Sequence, residues 1–388
     1  MAVDPGFKDY ATPTQWAAYL ASDEYGGGRK AEAALGKAND AISGPIRRMK
    51  AYAASMGYAP EQDMTHLVPD GFRVKGVSTY YDSEGQPRGQ WVKSTADANK
   101  AIEAIRELIS DMASGVKGMV PLTPAPERNN DDLLALYGIG DPHFGMYSWA
   151  AETGNDFSLE EAERLTTGAI DRLVSSGPPA GTALLLNVGD FFHADNQKNM
   201  TPESGNVLDV DTRHAKVMQV GLRAMVHAVR RLLEKHSRVI VWCMPGNHDP
   251  NSSFALALCL DSMFHGEPRV EVCLNPGQYK YLRFGKVLIG SHHGHGPKVQ
   301  DLPLIMATDR PEDWGATSHR YIIGGHIHHL TRKEWPGVVF ETLRTMAPGD
   351  AWHSGKGYRA GRDMQLIVYD ATFGEVERHR CDAARLAA

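Results

Sequence analysis

Apolar runs recur through the second part of the chain, and each of the first three ends in a turn-forming polar stretch. The runs cover Leu133 to Ile139, Ala183 to Val188 and Val239 to Met244. Their length and lack of interruption fit strands buried on both faces. Between them, Leu159 to Val174 and Thr212 to Lys235 carry apolar residues at helical spacing. Shorter strands are predicted at Val287–Ile289, Tyr321–Ile323, Val338–Phe340 and Gln365–Tyr369. Strands alternating with helices build a layered α/β domain. The strand-rich later part points to mixed rather than purely parallel sheets.

The first part of the chain reads differently. Short helices are predicted at Thr14 to Ala21, Arg29 to Leu35 and Ser43 to Met56, the last with Ser43 as N-cap and Gly57 as its stop. Phe72 to Tyr81 and Gly89 to Ser94 read as a hairpin around Asp82 to Gly85. Ala96 to Met112 then reads as an amphipathic helix. The stretch Pro121 to Asp132 is proline-rich and polar, and prolines so spaced cannot continue a helix. The expected division is therefore a small α+β module over 1–120, a linker over 121–132 and the layered α/β domain over 133–388.

Composition narrows the classes. No apolar run approaches the roughly 20 residues of a membrane helix, and the start MAVDPGFKDY lacks a signal-peptide pattern. A cytoplasmic protein without a membrane partner is expected. The four cysteines form no CxxC pair, which disfavours a zinc ribbon. A net charge of −6 disfavours a uniformly basic nucleic-acid binder but leaves local basic faces open. Histidine is abundant, with 17 residues concentrated after Pro142.

Those histidines fall into motifs. Asp141-Pro-His143, Gly189-Asp190, Gly246-Asn247-His248-Asp249, His292-His293-Gly-His295 and Gly325-His326-Ile-His328 each follow a predicted strand. In open α/β sheets, ligands sit beyond the carboxyl ends of strands, so this placement gathers carboxylates and imidazoles at one locus. A mixed His, Asp and Asn donor set suits manganese, iron or zinc better than magnesium or calcium. Manganese is the first expectation.

The five motifs, in this order, resemble the calcineurin-like metallophosphoesterase superfamily over about Leu133 to Asp370. The resemblance implies a dinuclear metal centre. Asp141, His143 and His328 would hold one ion. Asn247, His326 and one histidine of the His292 to His295 cluster would hold the other, with Asp190 bridging. His293 is the first choice in that cluster and His292 the fallback. Two such ions lower the pKa of a bound water, and the hydroxide attacks phosphorus in line. The family pattern gives His248 a general-acid role. Asp249 would orient that imidazole, or cap the helix after Pro250, or both. Gly189-Asp190-Phe-Phe-His193 is similar to a stretch of SbcD-like double-strand-break repair nucleases, which implies that His193 touches the scissile phosphate or its neighbour.

Two further segments bear on substrate. The loop Trp352 to Arg362 carries His353, Lys356 and Arg359 among glycines and aromatics, a composition suited to a phosphate backbone. Arg29 to Gly57 resembles a helix-turn-helix, with Arg47 and Arg48 on the recognition helix and the hairpin as a wing. The layout is similar to phage and prophage proteins that join a winged helix-turn-helix to a metallophosphoesterase. The expected function is metal-dependent hydrolysis of a phosphodiester in DNA. A phosphomonoesterase, a cyclic-nucleotide phosphodiesterase and a non-catalytic DNA-binding scaffold are the alternatives. No segment is assigned to an ATPase partner, and a homo-oligomer is left open.

Overall fold

The computed structural model describes residues 3–62, 64, 72–82, 84, 86–96, 117–202, 204–357 and 359–386. The chain divides into two compact units, Met1–Glu107 and Leu108–Ala388.

In the first unit, helices Pro13–Glu24, Gly28–Ala34 and Ser43–Ser55 precede an antiparallel hairpin of β1 (Phe72–Tyr81) and β2 (Pro87–Ala96). Thr12 and Gln15 form a reciprocal capping box at the first helix. Ser43 is not an N-cap. It is the first residue of its helix, and its backbone N–H and hydroxyl both donate to Glu32 Oε1, at 2.8 and 2.9 Å. Ile42 N–H donates to the same oxygen at 2.9 Å. Glu32 thus satisfies the helix start from a neighbouring helix, and these bonds hold its carboxyl down at about 2. The helix expected over Ala96 to Met112 lies outside the described residues, apart from Ala96 itself.

The second unit contains two sheets. The first has six strands in the order β13-β12-β3-β4-β5-β6. They are β3 (Asn130–Ile139), β4 (Ala180–Asn187), β5 (Arg238–Cys243), β6 (Val270–Val272), β12 (Asp363–Asp370) and β13 (Gly374–Asp382). The second has five, in the order β10-β11-β9-β8-β7. These are β7 (Lys280–Phe284), β8 (Val287–Ser291), β9 (His319–Gly324), β10 (Thr331–Trp335) and β11 (Val338–Thr342). Strands β3 to β6 are mutually parallel, as are β8, β9 and β11, while β12, β13, β7 and β10 pair antiparallel. The mixed sheets expected from the sequence are present. The last three residues of the expected linker, 130–132, already belong to β3.

Strand alternation sorts the core into layers. Leu134, Leu136, Leu184, Leu186, Ile240 and Trp242 meet Val287, Ile289, Tyr321 and Ile323 between the sheets. Their sequence neighbours Ala135, Tyr137, Ala183, Leu185, Val239 and Val241 pack on helices Leu159–Ser176 and His214–Leu233. The outer face of the second sheet is covered by Leu302 and Met306 of helix Leu302–Asp309. A one-residue slip of a central strand would exchange these two faces, and each buried leucine is worth roughly 1.5–3 kcal/mol. The register is therefore firmly set, and with it the relative position of the loops that follow each strand.

Candidate metal centre

Five of those loops carry the motif residues. Asp141 and His143 follow β3, Asp190 and His193 follow β4, Asn247 and His248 follow β5, His293 follows β8, and His326 and His328 follow β9. Ile139, Asn187 and Cys243 are register partners across the first sheet, as are Ser291 and Ile323 across the second, so the parallel strands finish together. The turns are tight. Among the described residues seven non-glycines have positive φ, and five of them are Asp141, His143, Asp190, His326 and His328. Such conformations cost energy and persist where surrounding structure imposes them.

One group of donor atoms gathers around His293. Its Nε2 lies 3.1 Å from Asn247 Oδ1 and 3.2 Å from Asp190 Oδ2. Its Nδ1 lies 2.9 Å from the Val188 carbonyl oxygen. A carbonyl only accepts, so Nδ1 carries the proton and donates, which leaves Nε2 as a lone pair toward the cluster in the neutral ring. Asp190, His293 and His326 each place a ligand atom within 4.8 Å of the others. His292 faces away: its Nδ1 accepts from Gly294 N–H at 3.0 Å and its Nε2 lies toward Gln278. His295 lies beside His293, with ring centroids 5.2 Å apart. Of the three cluster histidines, His293 is therefore the one that points at Asn247 and Asp190.

A second group surrounds His143. Its Nε2 lies 3.0 Å from His328 Nε2. Asp141, fully buried, accepts His326 N–H at Oδ1 (2.9 Å), while its Oδ2 is buried with no hydrogen-bond partner. The Asp141 carbonyl is held by the Thr345 hydroxyl at 2.6 Å, a contact that no motif announced. Two imidazole nitrogens face to face and an orphaned buried carboxylate oxygen are the arrangement that a cation would satisfy.

The electrostatics agree. Burial pushes the Asp141 carboxyl up to about 7, against the pull of His293. Asp190 is also penalised by burial, yet His293 beside it holds its carboxyl well below the usual range. Burial opposes charge on His293, but Asp190 and Asp141 outweigh it and hold this imidazole up at about 10. Burial and the adjacent imidazoles of His328, His248 and His193 push His143 well down. Two sequestered carboxylates thus draw positive charge into a cage in which burial makes His143 and His326 resist protonation. Glycines leave room for the cage. A Cβ at Gly246 would lie 2.0 Å from Asp190 Oδ1, and one at Gly325 would lie 2.5 Å from Asp141 Oδ2.

Asp249 and His193 differ from expectation. Asp249 serves the Asp190 loop rather than the His248 imidazole: its Oδ1 accepts Asp190 N–H and Gly246 N–H, both at 3.1 Å, and its Oδ2 accepts Phe192 N–H at 3.0 Å. Its side chain makes no cap bond to helix Pro250–Met263. Asp195 does that instead, accepting Asn251 N–H and Ser252 N–H at 3.1 and 2.8 Å. The His248 imidazole is oriented by the His193 carbonyl, 2.8 Å from its Nδ1, and His248 N–H donates to Asp190 Oδ1 at 2.8 Å. His193 is buried behind His143, with the two Nδ1 atoms 3.2 Å apart, so it faces a neighbouring imidazole.

A cleft of about 620 Å³ opens over Asp190, Asn247, His248, His326 and His328. Its far wall is Thr201, Ser204, Asn206, Val207, Leu208 and Asp209, from the insert between Asn196 and Asp211. A smaller cavity of about 120 Å³ shares His328 and includes Arg359. Lys356 is exposed and lines neither, and the side chain of His353 lies outside the described residues. In the first unit Arg47 and Arg48 are exposed on helix Ser43–Ser55, with Arg47 paired to Asp40 at 3.0 Å.

No family model and no curated protein matches the chain. Similar solved structures include a dimetal phosphatase from Danio rerio, at 10% identity, 64% of this chain, 99% of that chain and a TM-score of 0.35. Vps29 from Entamoeba histolytica complexed with zinc gives 15%, 64%, 99% and 0.26. A predicted phosphoesterase from Streptococcus pneumoniae gives 11%, 64%, 98% and 0.26.

Proposed function

We propose that the chain is a dinuclear-metal-dependent phosphoesterase and that its substrate is a phosphodiester in DNA. The observation that carries the first part is that Asn247 Oδ1 and Asp190 Oδ2 both lie within 3.2 Å of His293 Nε2, with Asp141 Oδ1 3.7 Å from the other nitrogen of that ring, Asp141 Oδ2 orphaned, and the ring nitrogens of His143 and His328 facing each other. Asp141, His143 and His328 would hold one ion, Asn247, His293 and His326 the other, and Asp190 both. When bound, such a pair lowers the pKa of water and offsets charge on the phosphate oxygens. The donor set favours manganese, iron or zinc.

The chain's own groups supply the rest. Because Nδ1 of His248 donates to the His193 carbonyl, the proton it exchanges sits on Nε2, at the floor of the cleft. Water loses one proton to solvent as its oxygen bonds to phosphorus, the bond to the leaving oxygen breaks, that oxygen takes the His248 proton, and His248 regains a proton from solvent. A general acid matters most for an alkoxide leaving group, as in a nucleic-acid diester. DNA as the substrate is further supported by the exposed Arg47 and Arg48 on a helix that precedes a two-stranded hairpin. No helix among the described residues is long and apolar enough to cross a membrane.

The test is incubation of the purified chain with single- and double-stranded DNA, RNA, cyclic nucleotides and a phosphopeptide, each with manganese and with chelator. Manganese-dependent cleavage of DNA is expected. Preferential turnover of the phosphopeptide would replace DNA by a phosphoprotein substrate, and absence of any turnover would remove the enzyme reading.

A further inference from the structure

We propose that the small cavity beside His328 binds a second anionic group of the substrate, so that the preferred substrate carries another phosphate next to the scissile one. This deepens the phosphoesterase reading and rests on it.

The two cavities that meet at His328 have opposite character. Away from the proposed metal ligands, the larger is lined by Asp209 and Asp350 and by no lysine or arginine among the described residues. The smaller is lined by Arg359 and Arg362 and by no acid among the described residues. With its scissile phosphate at the metal ligands, a polyanionic substrate would therefore direct an uncharged arm along the acidic wall of the larger cleft and its next charged group into the smaller cavity. Size agrees with this division. About 620 Å³ lies within the roughly 300–1,000 Å³ that small-molecule ligands occupy, whereas about 120 Å³ holds only a group of atoms.

Arg362 is positioned by neutral acceptors rather than neutralised by an acid. Arg362 donates Nε–H to the Met346 carbonyl at 2.9 Å and Nη1–H to Asn155 Oδ1 at 3.3 Å, both uncharged acceptors. Among the described residues no carboxylate stands within ion-pair distance of it. The nearest acidic influences are Glu161, already paired with Arg164 at 2.7 Å, and Asp382, which accepts Ala384 N–H at 2.8 Å. Arg344 lies behind the same wall: a Cβ at Gly361 would sit 3.2 Å from its Nη1. That guanidinium pairs with Asp363 at 2.7 Å, and its Nε is buried without a hydrogen-bond partner. The hydroxyl of Ser354 and the loop glycines 349 and 361 complete a wall on which a phosphate can be cradled.

Two sources of such a group differ only in position: a terminal phosphate, or the next linkage of a strand. The test measures dissociation constants of the full chain, with manganese, for thymidine dinucleotides whose scissile bridging oxygen is replaced by methylene. The arms are the bare dinucleotide, the same with a 5′-phosphate, and a trinucleotide. Tighter binding by on the order of tenfold is expected when the second phosphate is present. The arm that shows the gain identifies the source. Arg362→Gln should remove most of the gain and Arg362→Lys should keep part of it. Ser354→Glu, which adds a negative charge to the same wall, should also remove it and serves if the arginine variants do not fold. Equal constants with and without the second phosphate, or a gain that survives both Arg362→Gln and Ser354→Glu, would overturn the inference. Turnover of bis(4-nitrophenyl) phosphate by the wild type separates the two levels. Turnover without any gain sinks the anion pocket alone, whereas no turnover sinks the phosphoesterase reading and the pocket with it.

Discussion

His193 Nδ1 lies 3.2 Å from His143 Nδ1, while the opposite nitrogen of His143 faces His328. If His143 gives its Nε2 lone pair to an ion, its Nδ1 carries the proton, and His193 is the acceptor that fixes this tautomer. His193→Ala should therefore weaken metal affinity by about 10- to 100-fold. Added manganese should restore most of the turnover. Calorimetric titration with manganese checks this. Unchanged metal affinity with a raised KM would instead place His193 on the substrate, as the resemblance to repair nucleases implies.

Gly246 packs directly against Asp190. A methyl group there would lie 2.0 Å from Asp190 Oδ1 and 2.2 Å from its backbone nitrogen. Gly246→Ala should displace the carboxylate proposed to bridge the two ions and cost about 1–3 kcal/mol of overpacking. Bound metal, counted by atomic emission after gel filtration, should fall. A full metal complement in this variant would show that Asp190 can move aside without consequence.

Asp249 holds three buried backbone N–H groups from two loops. Asp249→Ala leaves all three without an acceptor, at about 1–3 kcal/mol each before relaxation. We expect a loss of about 3–5 kcal/mol in urea unfolding, with Asp249→Asn losing less because one oxygen remains. A loss below about 1 kcal/mol for the alanine variant would mean that water replaces the carboxylate.

Stability should fall on acidification through His236. Its Nε2 lies 2.9 Å from the Tyr137 hydroxyl, its Nδ1 lies 2.7 Å from the Ala180 carbonyl, and burial pushes its pKa down to about 4. The folded chain therefore refuses a proton that the unfolded chain accepts near 6.5. Its contribution is complete above about 6.5 and disappears as pH falls toward about 4, up to about 3 kcal/mol. Urea midpoints at several pH values, compared with His236→Phe, read this directly. The wild type should lose more stability than the variant between pH 7 and 4.5, and parallel curves would contradict the assignment.

Much of this was legible in the sequence because strand ends, glycines and ligands coincide. The buried strands β3, β4 and β5 carry uninterrupted apolar runs, and the motif residues follow them directly. The edge strands were not legible. The sequences of β10 and β13 are Thr331–Trp335 and Gly374–Asp382, largely charged, since an edge strand is protected by charge rather than announced by hydrophobicity. Local sequence also failed where a polar group is satisfied from afar. Glu32 rather than Ser43 serves the helix start, Asp195 rather than Asp249 caps the helix at Pro250, and Asp249 bonds amides 57 and 59 residues away. The short interval from Asp190 to Asp195 held the capping residue in plain view, but nothing in spacing alone pairs it with Asn251 and Ser252. The cation-lined cavity was hidden for a similar reason: Arg362 and Asn155 meet only after folding.

Seven side chains from five loops are proposed to form one cage for a pair of divalent ions. Equilibrium dialysis against manganese measures it most directly, with wild type beside Asp190→Ala. Two ions per wild-type chain, and a clear loss in the variant, are predicted. Undetectable binding at micromolar metal, or equal occupancy in both proteins, would contradict it.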